Sequence, residues 1–204
     1  MQFHADGFRA GDPRVRPADP AAAARSATLP DGLDVLIVGC GPAGLVLAAQ
    51  LAEFPTITTR IVERKPGPLQ LGQADGVACR TVEMFEAFGL GDELVAEAYW
   101  VNETVFWRPD AHDRSRIVRA GRVQDVEDGL SECPHVTVNQ ARIHDYLLGS
   151  MRRAPSRLEP DYGLEVVGIA VGDSGDRPVT VTLRRTDAAG AGAEVTVRAR
   201  YVVG

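Results

Sequence analysis

The sequence predicts an α/β fold: a parallel sheet built on a βαβ unit, with a three-stranded antiparallel meander inserted before the last parallel strand. The βαβ unit is indicated by an apolar run at residues 35–38, a glycine-rich turn, a segment of helical spacing and a second run at residues 58–63. Together these fill about thirty residues, the length that such a unit needs. Three runs of alternating apolar and polar residues between positions 164 and 199 indicate the meander, because antiparallel strands show this period.

The two ends of the chain are expected to differ from its middle. Residues 1–32 contain four prolines and a run of four alanines but no apolar periodicity, so they are expected to form an extended arm. Residues 33–204 are then expected to be the amino-terminal part of one domain. The chain ends on an apolar strand, residues 201–203, that should be central and buried. Because proteins rarely end on such a strand, we expect the sequence to be truncated.

Periodicity predicts the remaining elements in order. The run at residues 35–38 is apolar throughout, as a strand buried on both faces requires. The helix that follows, about residues 43–53, places Leu45, Ala48 and Ala49 at helical spacing. Further helices are predicted near Arg80, over residues 92–98 and from about Gln140, and further strands at residues 58–63, 101–107, 116–119, 136–138, 164–171, 179–183, 195–199 and 201–203.

Composition excludes several classes of function. The chain has 22 Lys and Arg residues against 28 Asp and Glu, a net charge of −6, which argues against a basic nucleic-acid-binding protein. Its three cysteines, Cys40, Cys79 and Cys133, form no C-x-x-C or Cys/His cluster, so neither a disulfide framework nor a metal site is expected. The N-terminus lacks an apolar signal segment. The cytoplasm is therefore the expected location.

One uncharged stretch approaches the length of a membrane span. Residues 35–52 contain no charged side chain over 18 positions. Three glycines and a proline in the middle of this stretch interrupt any continuous helix. We therefore expect a strand, a turn and a helix here, and no membrane association.

The glycine-rich turn has the spacing of a dinucleotide-binding motif. The hexapeptide from Gly39 to Gly44 matches G-x-G-x-x-G between a predicted strand and a predicted helix. In that context Gly39 permits the tight turn, Gly41 lets the backbone approach a pyrophosphate, and Gly44 allows close helix packing. The turn continues through Pro42 and Ala43 into the helix, whose N-terminal N–H groups would hold the phosphates. The sequence therefore predicts a Rossmann-like fold.

An acidic residue lies where this motif needs a ribose partner. Glu63 comes 19 residues after Gly44, at the end of the second predicted strand, where a carboxylate can accept hydrogen bonds from ribose hydroxyls. Its charge argues against a 2′-phosphate, so the expected ligand is the ADP moiety of FAD or NAD rather than of NADP. The alternative is a turn whose glycines serve packing alone, with Glu63 as a surface carboxylate.

Several separate motifs resemble those of the FAD-dependent aromatic hydroxylases. In chain order they are DVLIVGCGPAGL from residue 34, IVERK from residue 61, LGQADG from residue 71, RTVEMF from residue 80 and NQAR from residue 139. Within that family the sequence resembles the branch of the phenol 2-monooxygenases and 3-hydroxybenzoate 4-monooxygenases, from its first residues to its last.

The resemblance implies a flavin monooxygenase that hydroxylates a small phenolic substrate with O2, with FAD as cofactor and NAD(P)H as reductant. It also implies a full-length protein, expected as a homodimer, that continues beyond Gly204 with further parts of the flavin site. The 204-residue chain alone is therefore expected to be weakly active or inactive. Two alternatives stay open: an NAD-binding dehydrogenase domain and a non-catalytic remnant.

The resemblance also implies roles for individual residues. Asp75 matches an aspartate beside the substrate hydroxyl, where it would act as the base, although loop composition alone favours an Asp-Gly turn. Gln140 matches a flavin-contacting glutamine, and its alternative is a polar residue at a helix start. His135 matches a histidine that faces the substrate pocket in the 3-hydroxybenzoate branch, and its alternative is a solvated loop histidine. Further cofactor contacts are expected from Arg64, Gly72 and Gln73.

Overall fold

The structure is a computed structural model that describes residues 3–4, 7–8, 11–23, 28–72, 74–173, 175–186 and 190–204. In chain order its elements are β1 (Phe3–His4), β2 (Gly7–Phe8), α1 (Pro20–Ala23), β3 (Gly32–Val38), α2 (Pro42–Leu51), β4 (Thr59–Glu63), β5 (Gly76–Val77), α3 (Cys79–Ala87), α4 (Gly91–Glu97), β6 (Tyr99–Trp100), β7 (Glu103–Pro109), β8 (Ile117–Gln124), β9 (Val136–Thr137), α5 (Gln140–Arg153), β10 (Asp161–Tyr162), β11 (Leu164–Val171), β12 (Val179–Arg185) and β13 (Glu194–Val203). The chain divides into a first unit, Met1–Leu69 with Leu147–Gly204, and a second unit, Gln70–Tyr146.

A six-stranded sheet forms the centre of the first unit, in the order β10-β4-β3-β13-β12-β11. Neighbours from β10 to β13 pair in parallel, whereas β13, β12 and β11 pair antiparallel. The βαβ unit and the meander are therefore both present, and the predicted α/β fold is confirmed.

One strand serves both halves of the sheet, which corrects a prediction. The sequence predicts separate strands at residues 195–199 and 201–203, but the structure has one continuous strand, β13. Its residues from Glu194 to Ala199 pair antiparallel with β12, and those from Arg198 to Val203 pair parallel with β3. No glycine or proline lies within β13, so no residue in it favours a break.

The parallel strand β10 is absent from the sequence prediction. Asp161 and Tyr162 pair with Val62 and Glu63 of β4, and two residues are too few to show a period. A bidentate ion pair also joins the two strands: the Arg60 guanidinium donates from Nε to Oδ2 of Asp161 at 2.7 Å and from Nη2 to Oδ1 at 2.6 Å. Arg60 is buried, so this contact lies inside the first unit.

Apolar side chains from both halves of the sheet form one core cluster in the first unit. Its buried members are Leu33, Leu36, Val62, Leu164, Val181, Leu183, Val197 and Ala199. On α2, Leu45, Ala48 and Ala49 are buried, as the predicted helical spacing requires. Burial of this apolar surface is the main favourable contribution to folding of the unit.

The described part of residues 1–32 contacts the rest of the first unit. The backbone N–H groups of Arg16 and Asp19 donate to the carbonyl oxygens of Arg153 and Pro155, each at 3.0 Å. Leu29 packs against the core cluster. The boundary between an arm at residues 1–32 and a domain at residues 33–204 stays a prediction.

The second unit contains a small sheet of order β5-β9-β6, the hairpin β7-β8 and the helices α3 and α4. The predicted helices near Arg80 and at residues 92–98 are present as α3 and α4. The strand expected at residues 116–119 is longer, because its pairing with β7 extends to Gln124.

Within the described ranges, no helix is both long enough and apolar enough to cross a membrane. The same part of the chain contains no group of three or more His, Cys, Asp or Glu side chains placed to hold a metal ion.

Candidate functional site

In the glycine turn between β3 and α2, Gly44 has no room for a side chain, whereas Gly41 has open space beside it. Gly39 has a φ of +96°, which L side chains rarely adopt. A Cβ atom on Gly44 would lie 2.1 Å from the Gly39 carbonyl oxygen, so this position requires glycine for packing. A Cβ on Gly41 would have no described heavy atom within 4 Å. The space beside Gly41 is therefore available to a ligand.

Helix α2 presents its N-terminus to the same space. It begins at Pro42, and its N-cap, Gly41, has no side chain that could cap the helix. The Ala43 and Gly44 N–H groups stand in the first turn, before the helix can supply its own acceptors. Exposed N–H groups and the helix dipole together favour an anion at this end.

Glu63, at the end of β4, makes a hydrogen bond to the glycine turn. Its Oε2 accepts a hydrogen bond from the Cys40 N–H at 2.9 Å, and its Oε1 accepts one from the Lys65 N–H at 2.9 Å. The carboxylate is therefore held against the glycine turn instead of extending into solvent. Arg64, the next residue, has an exposed side chain, and its carbonyl oxygen accepts a hydrogen bond from Thr186 Oγ1 at 2.7 Å.

Cys40 lies inside the turn as an unreactive thiol. It is buried, and this burial, followed by the charges of Glu63 and Asp161, raises the pKa of its thiol to about 12. Because the thiolate is the reactive form of cysteine, the side chain of Cys40 acts here as a small apolar group.

In the second unit, the loop that carries Asp75 lies against the segment that leads into α5. We call residues 72–76 the Asp75 loop; Gln73 lies outside the described residues. The Val138 N–H donates to the Asp75 carbonyl oxygen at 2.8 Å. A Cβ atom on Gly72 would lie 2.5 Å from Cβ of Gln140. The structure therefore brings together candidates that are more than sixty residues apart in the chain.

The Asp75 side chain is exposed and lines a cavity of about 270 Å³ with Gly72, Ala74 and Asn139. Gln140 is half-buried at the first position of α5. An exposed carboxylate in a cavity with glycine and alanine neighbours is sterically accessible to a small ligand.

His135 has a partner that the sequence analysis missed. Its Nδ1 lies 2.6 Å from Oδ2 of Asp125, and the two side chains are 29% and 17% exposed. Its Nε2 lies 3.6 Å from the place of a Cβ on Gly76, at the end of the Asp75 loop. His135 is therefore not a solvated loop histidine. No sequence motif marks Asp125, because the pair forms between two loops of the second unit.

His135 and Asp75 line different cavities. The cavity beside His135 measures about 300 Å³, and it is lined by residues 100–102, from the last residue of β6 to the residue before β7, and by residues of the segment 124–135. Arg80, another arginine of the motifs, is exposed and pairs with Glu83 one turn along α3.

A model of the family described as FAD binding domain matches residues 32–204 of the chain. The chain is 61% identical to 3-hydroxybenzoate 4-monooxygenase of Comamonas testosteroni over 206 aligned residues, which cover 100% of this chain and 32% of that protein. It is 29% identical over 174 residues to the phenol 2-monooxygenase fsqG of Aspergillus fumigatus, covering 85% of this chain and 28% of that protein. The chain thus spans about a third of the length of these curated relatives.

Solved structures share the fold. The flavin-dependent monooxygenase PieE, in complex with FAD and substrate, matches 86% of this chain and 30% of its own chain, with a TM-score of 0.68 and 24% sequence identity. The aklavinone-11 hydroxylase in a ternary complex with FAD and aklavinone matches 86% of this chain and 33% of its own chain, with a TM-score of 0.64 and 26% identity.

The first unit suits the ADP end of FAD. The open space beside Gly41, the uncapped N-terminus of α2 and the carboxylate of Glu63 offer the donors for a pyrophosphate and the acceptor for a ribose. Together with the family match over most of the chain, this geometry leads to one conclusion: the chain belongs to the FAD binding domain family, and FAD is its cofactor.

Proposed function

We propose that this chain is the FAD-binding part of a flavin monooxygenase that hydroxylates a small phenolic substrate, with O2 as co-substrate and NAD(P)H as reductant. The proposed substrate is phenol or a phenol resembling 3-hydroxybenzoate. Identity of 61% to a relative named for 3-hydroxybenzoate supports this substrate class. Bound FAD would supply the oxygen-insertion chemistry, and the residues of this chain would bind and orient cofactor and substrate.

The observation that carries the proposal is the contact between the Asp75 loop and residues 135–140. This contact places an exposed carboxylate, a half-buried histidine and the start of a helix in one part of the second unit. A carboxylate that accepts the proton of a phenol hydroxyl makes the aromatic ring electron-rich, which electrophilic hydroxylation requires. Asp75 is the proposed base.

Each unit, taken by itself, contributes candidate residues for cofactor binding. In the first unit, Gly41 and the N–H groups of Ala43 and Gly44 would hold the pyrophosphate, and Glu63 would accept hydrogen bonds from the ribose. Gly39 and Pro42 would shape the turn, and Arg64 would offset phosphate charge. In the second unit, Gly72, Gln73 and Gln140 would contact the flavin.

His135 is the proposed partner of a substrate carboxylate. A protonated imidazole offers a charge-assisted hydrogen bond to a carboxylate, whereas phenol has no group that needs one. In the full-length protein, we expect His135→Ala to weaken 3-hydroxybenzoate binding by about 1–3 kcal/mol. Phenol binding should change little. An equal loss of affinity for both ligands would reject the carboxylate assignment.

The main test uses the full-length, FAD-loaded protein with NADH or NADPH, isotopically labelled O2 and each phenol. We expect phenol-dependent oxidation of the nicotinamide and one labelled oxygen atom in the product. Asp75→Ala should slow hydroxylation of both phenols about 100-fold or more, the scale of a lost general base, with unchanged FAD content. The control is Asp113→Ala, since Asp113 is an exposed aspartate in the β7-β8 turn.

A full-length protein that binds FAD but forms no labelled hydroxylated product from either phenol would overturn the proposal. The cytoplasmic location, the homodimer and the choice between NADH and NADPH stay predictions.

A further inference from the structure

The contact between His135 and Asp125 determines which nitrogen of the imidazole can meet a ligand. An ionised carboxylate only accepts hydrogen bonds, so in a contact of 2.6 Å the proton lies on Nδ1 of His135. The Nε2 atom is then the ring nitrogen left for another partner. That atom lies on the side of Gly76, which has no side chain to cover it.

Backbone hydrogen bonds hold both members of this pair in place. The Val101 N–H donates to the His135 carbonyl oxygen at 2.9 Å, and the Asp125 N–H donates to the Asn102 carbonyl oxygen at 3.1 Å. Val101 and Asn102, which are adjacent in the chain, thus hold the backbones of His135 and Asp125 in place. The Gln124 side-chain amide, in addition, donates to the Val126 carbonyl oxygen and to Oδ1 of Asp128, both at 2.8 Å.

We propose that Asp125 is a positioning residue that keeps Nδ1 of His135 protonated and directs Nε2 toward the Asp75 loop, so that His135 prefers carboxylated phenols over uncharged ones. The inference rests on the proposed function, because it assigns Asp125 to the same substrate site. A proton taken up by the ring must go to Nε2, since Nδ1 already carries one. The imidazolium then lies between two carboxylates, that of Asp125 and that of the substrate, and donates one hydrogen bond to each.

Asp125 acts through His135 and touches no substrate atom in this scheme. Without Asp125 the ring is free to rotate and to carry its single proton on either nitrogen. Removal of Asp125 should therefore weaken the binding of ligands that need a hydrogen-bond donor at Nε2. If the contact were purely structural, its removal would weaken the binding of all ligands equally.

The test compares equilibrium binding of 3-hydroxybenzoate and of phenol to the full-length, FAD-loaded protein. We expect Asp125→Ala to raise the Kd of 3-hydroxybenzoate about tenfold, in the range for a hydrogen bond to a charged group, and that of phenol less than twofold. Asp125→Asn keeps an acceptor for Nδ1 without the charge and should restore part of the affinity. Asp113→Ala removes an exposed acidic side chain from the β7-β8 turn, outside the cavity beside His135, and is the control, with no change expected.

A double-mutant cycle separates Asp125 from a general effect on folding. Once His135 is alanine, Asp125→Ala should change the Kd of 3-hydroxybenzoate less than twofold. NMR of the protein with ¹⁵N-labelled histidine supplies a readout that needs no substrate. It should report a protonated Nδ1 on His135 in the wild type and a mixture of tautomers in Asp125→Ala.

The results that would overturn the role of Asp125 differ from those that would overturn the substrate role of His135. Equal losses for the two ligands, additive losses in the cycle, or an unchanged tautomer in Asp125→Ala would overturn the role of Asp125. If His135→Ala removes the preference for the carboxylated phenol and Asp125→Ala does not, only this inference fails. If His135→Ala keeps the preference, the substrate role of His135 in the proposed function fails, and the inference fails with it.

Discussion

Two glycines of the same turn should respond in opposite ways to an added methyl group. A Cβ at position 44 would lie 2.1 Å from the Gly39 carbonyl oxygen, whereas a Cβ at position 41 would have no described heavy atom within 4 Å. Gly41 also has extended backbone angles, φ −66° and ψ 169°, that alanine adopts without strain. We therefore expect Gly44→Ala to destabilise the fold, and Gly41→Ala to weaken cofactor binding with a smaller effect on stability.

The magnitude follows from the contact. Real Cβ contacts are essentially never shorter than 3.0 Å, so in Gly44→Ala the start of α2 must move away from Gly39 by about 1 Å. Overpacking costs about 1–3 kcal/mol, and the upper end of about 3 kcal/mol applies here because the atom in the way is a backbone oxygen. The higher helix propensity of alanine offsets about 1 kcal/mol of this cost. We expect a net loss near 2 kcal/mol, which lowers Tm by about 4–8 °C for a domain of 150–250 residues.

The assay is thermal unfolding of the full-length apoprotein together with titration of FAD by fluorescence quenching. Gly41→Ala should lower the Tm of the apoprotein by less than about 4 °C, since replacing an N-cap glycine by alanine costs at most about 1 kcal/mol. It should raise the Kd of FAD at least about tenfold, or about 1.4 kcal/mol. An unchanged Tm in Gly44→Ala would refute the packing argument. Wild-type FAD affinity in Gly41→Ala would refute a pyrophosphate beside Gly41.

Three further predictions concern stability and reactivity. Arg60→Ala removes the bidentate partner of the largely buried Asp161 carboxylate, so the free energy of unfolding in urea should fall by about 3–5 kcal/mol. Arg60→Met combined with Asp161→Leu should lose much less. The two hydrogen bonds that the Arg142 guanidinium donates to Glu97 lower the pKa of this carboxyl from 4.5 to about 2. A carboxyl whose pKa is lowered in the folded state stabilises the protein above pH 4.5, and this stabilisation is lost as the pH falls toward 2. Between pH 4.5 and pH 2, Tm should therefore decrease less steeply in Glu97→Gln than in the wild type. Iodoacetamide at pH 8 should leave Cys40 unmodified in the native protein and modify it in urea, as judged by peptide mass spectrometry, because burial raises the pKa of its thiol to about 12.

The glycine turn and its surroundings could be predicted because their signals are local. The strand β3, the turn and helix α2 follow one another within twenty residues, and each has its own period or its own glycine spacing. Glu63 could be predicted as well, because a βαβ unit returns the chain to the neighbouring parallel strand, so the end of β4 comes beside the turn. The candidates Asp75, His135 and Gln140 came from resemblance, since no period in the sequence marks them.

By itself, then, the sequence determined the class of fold, the glycine turn between β3 and α2 and the acidic residue beside it. Tertiary structure alone decided that β13 joins the meander to the parallel sheet, that Asp161 pairs with Arg60 across 101 positions of the chain, and that Asp125 holds His135. The physical reason is the range of the interactions. A helix or a tight turn depends on residues a few positions apart, whereas strand pairing and buried ion pairs depend on which distant segments the hydrophobic core brings into contact.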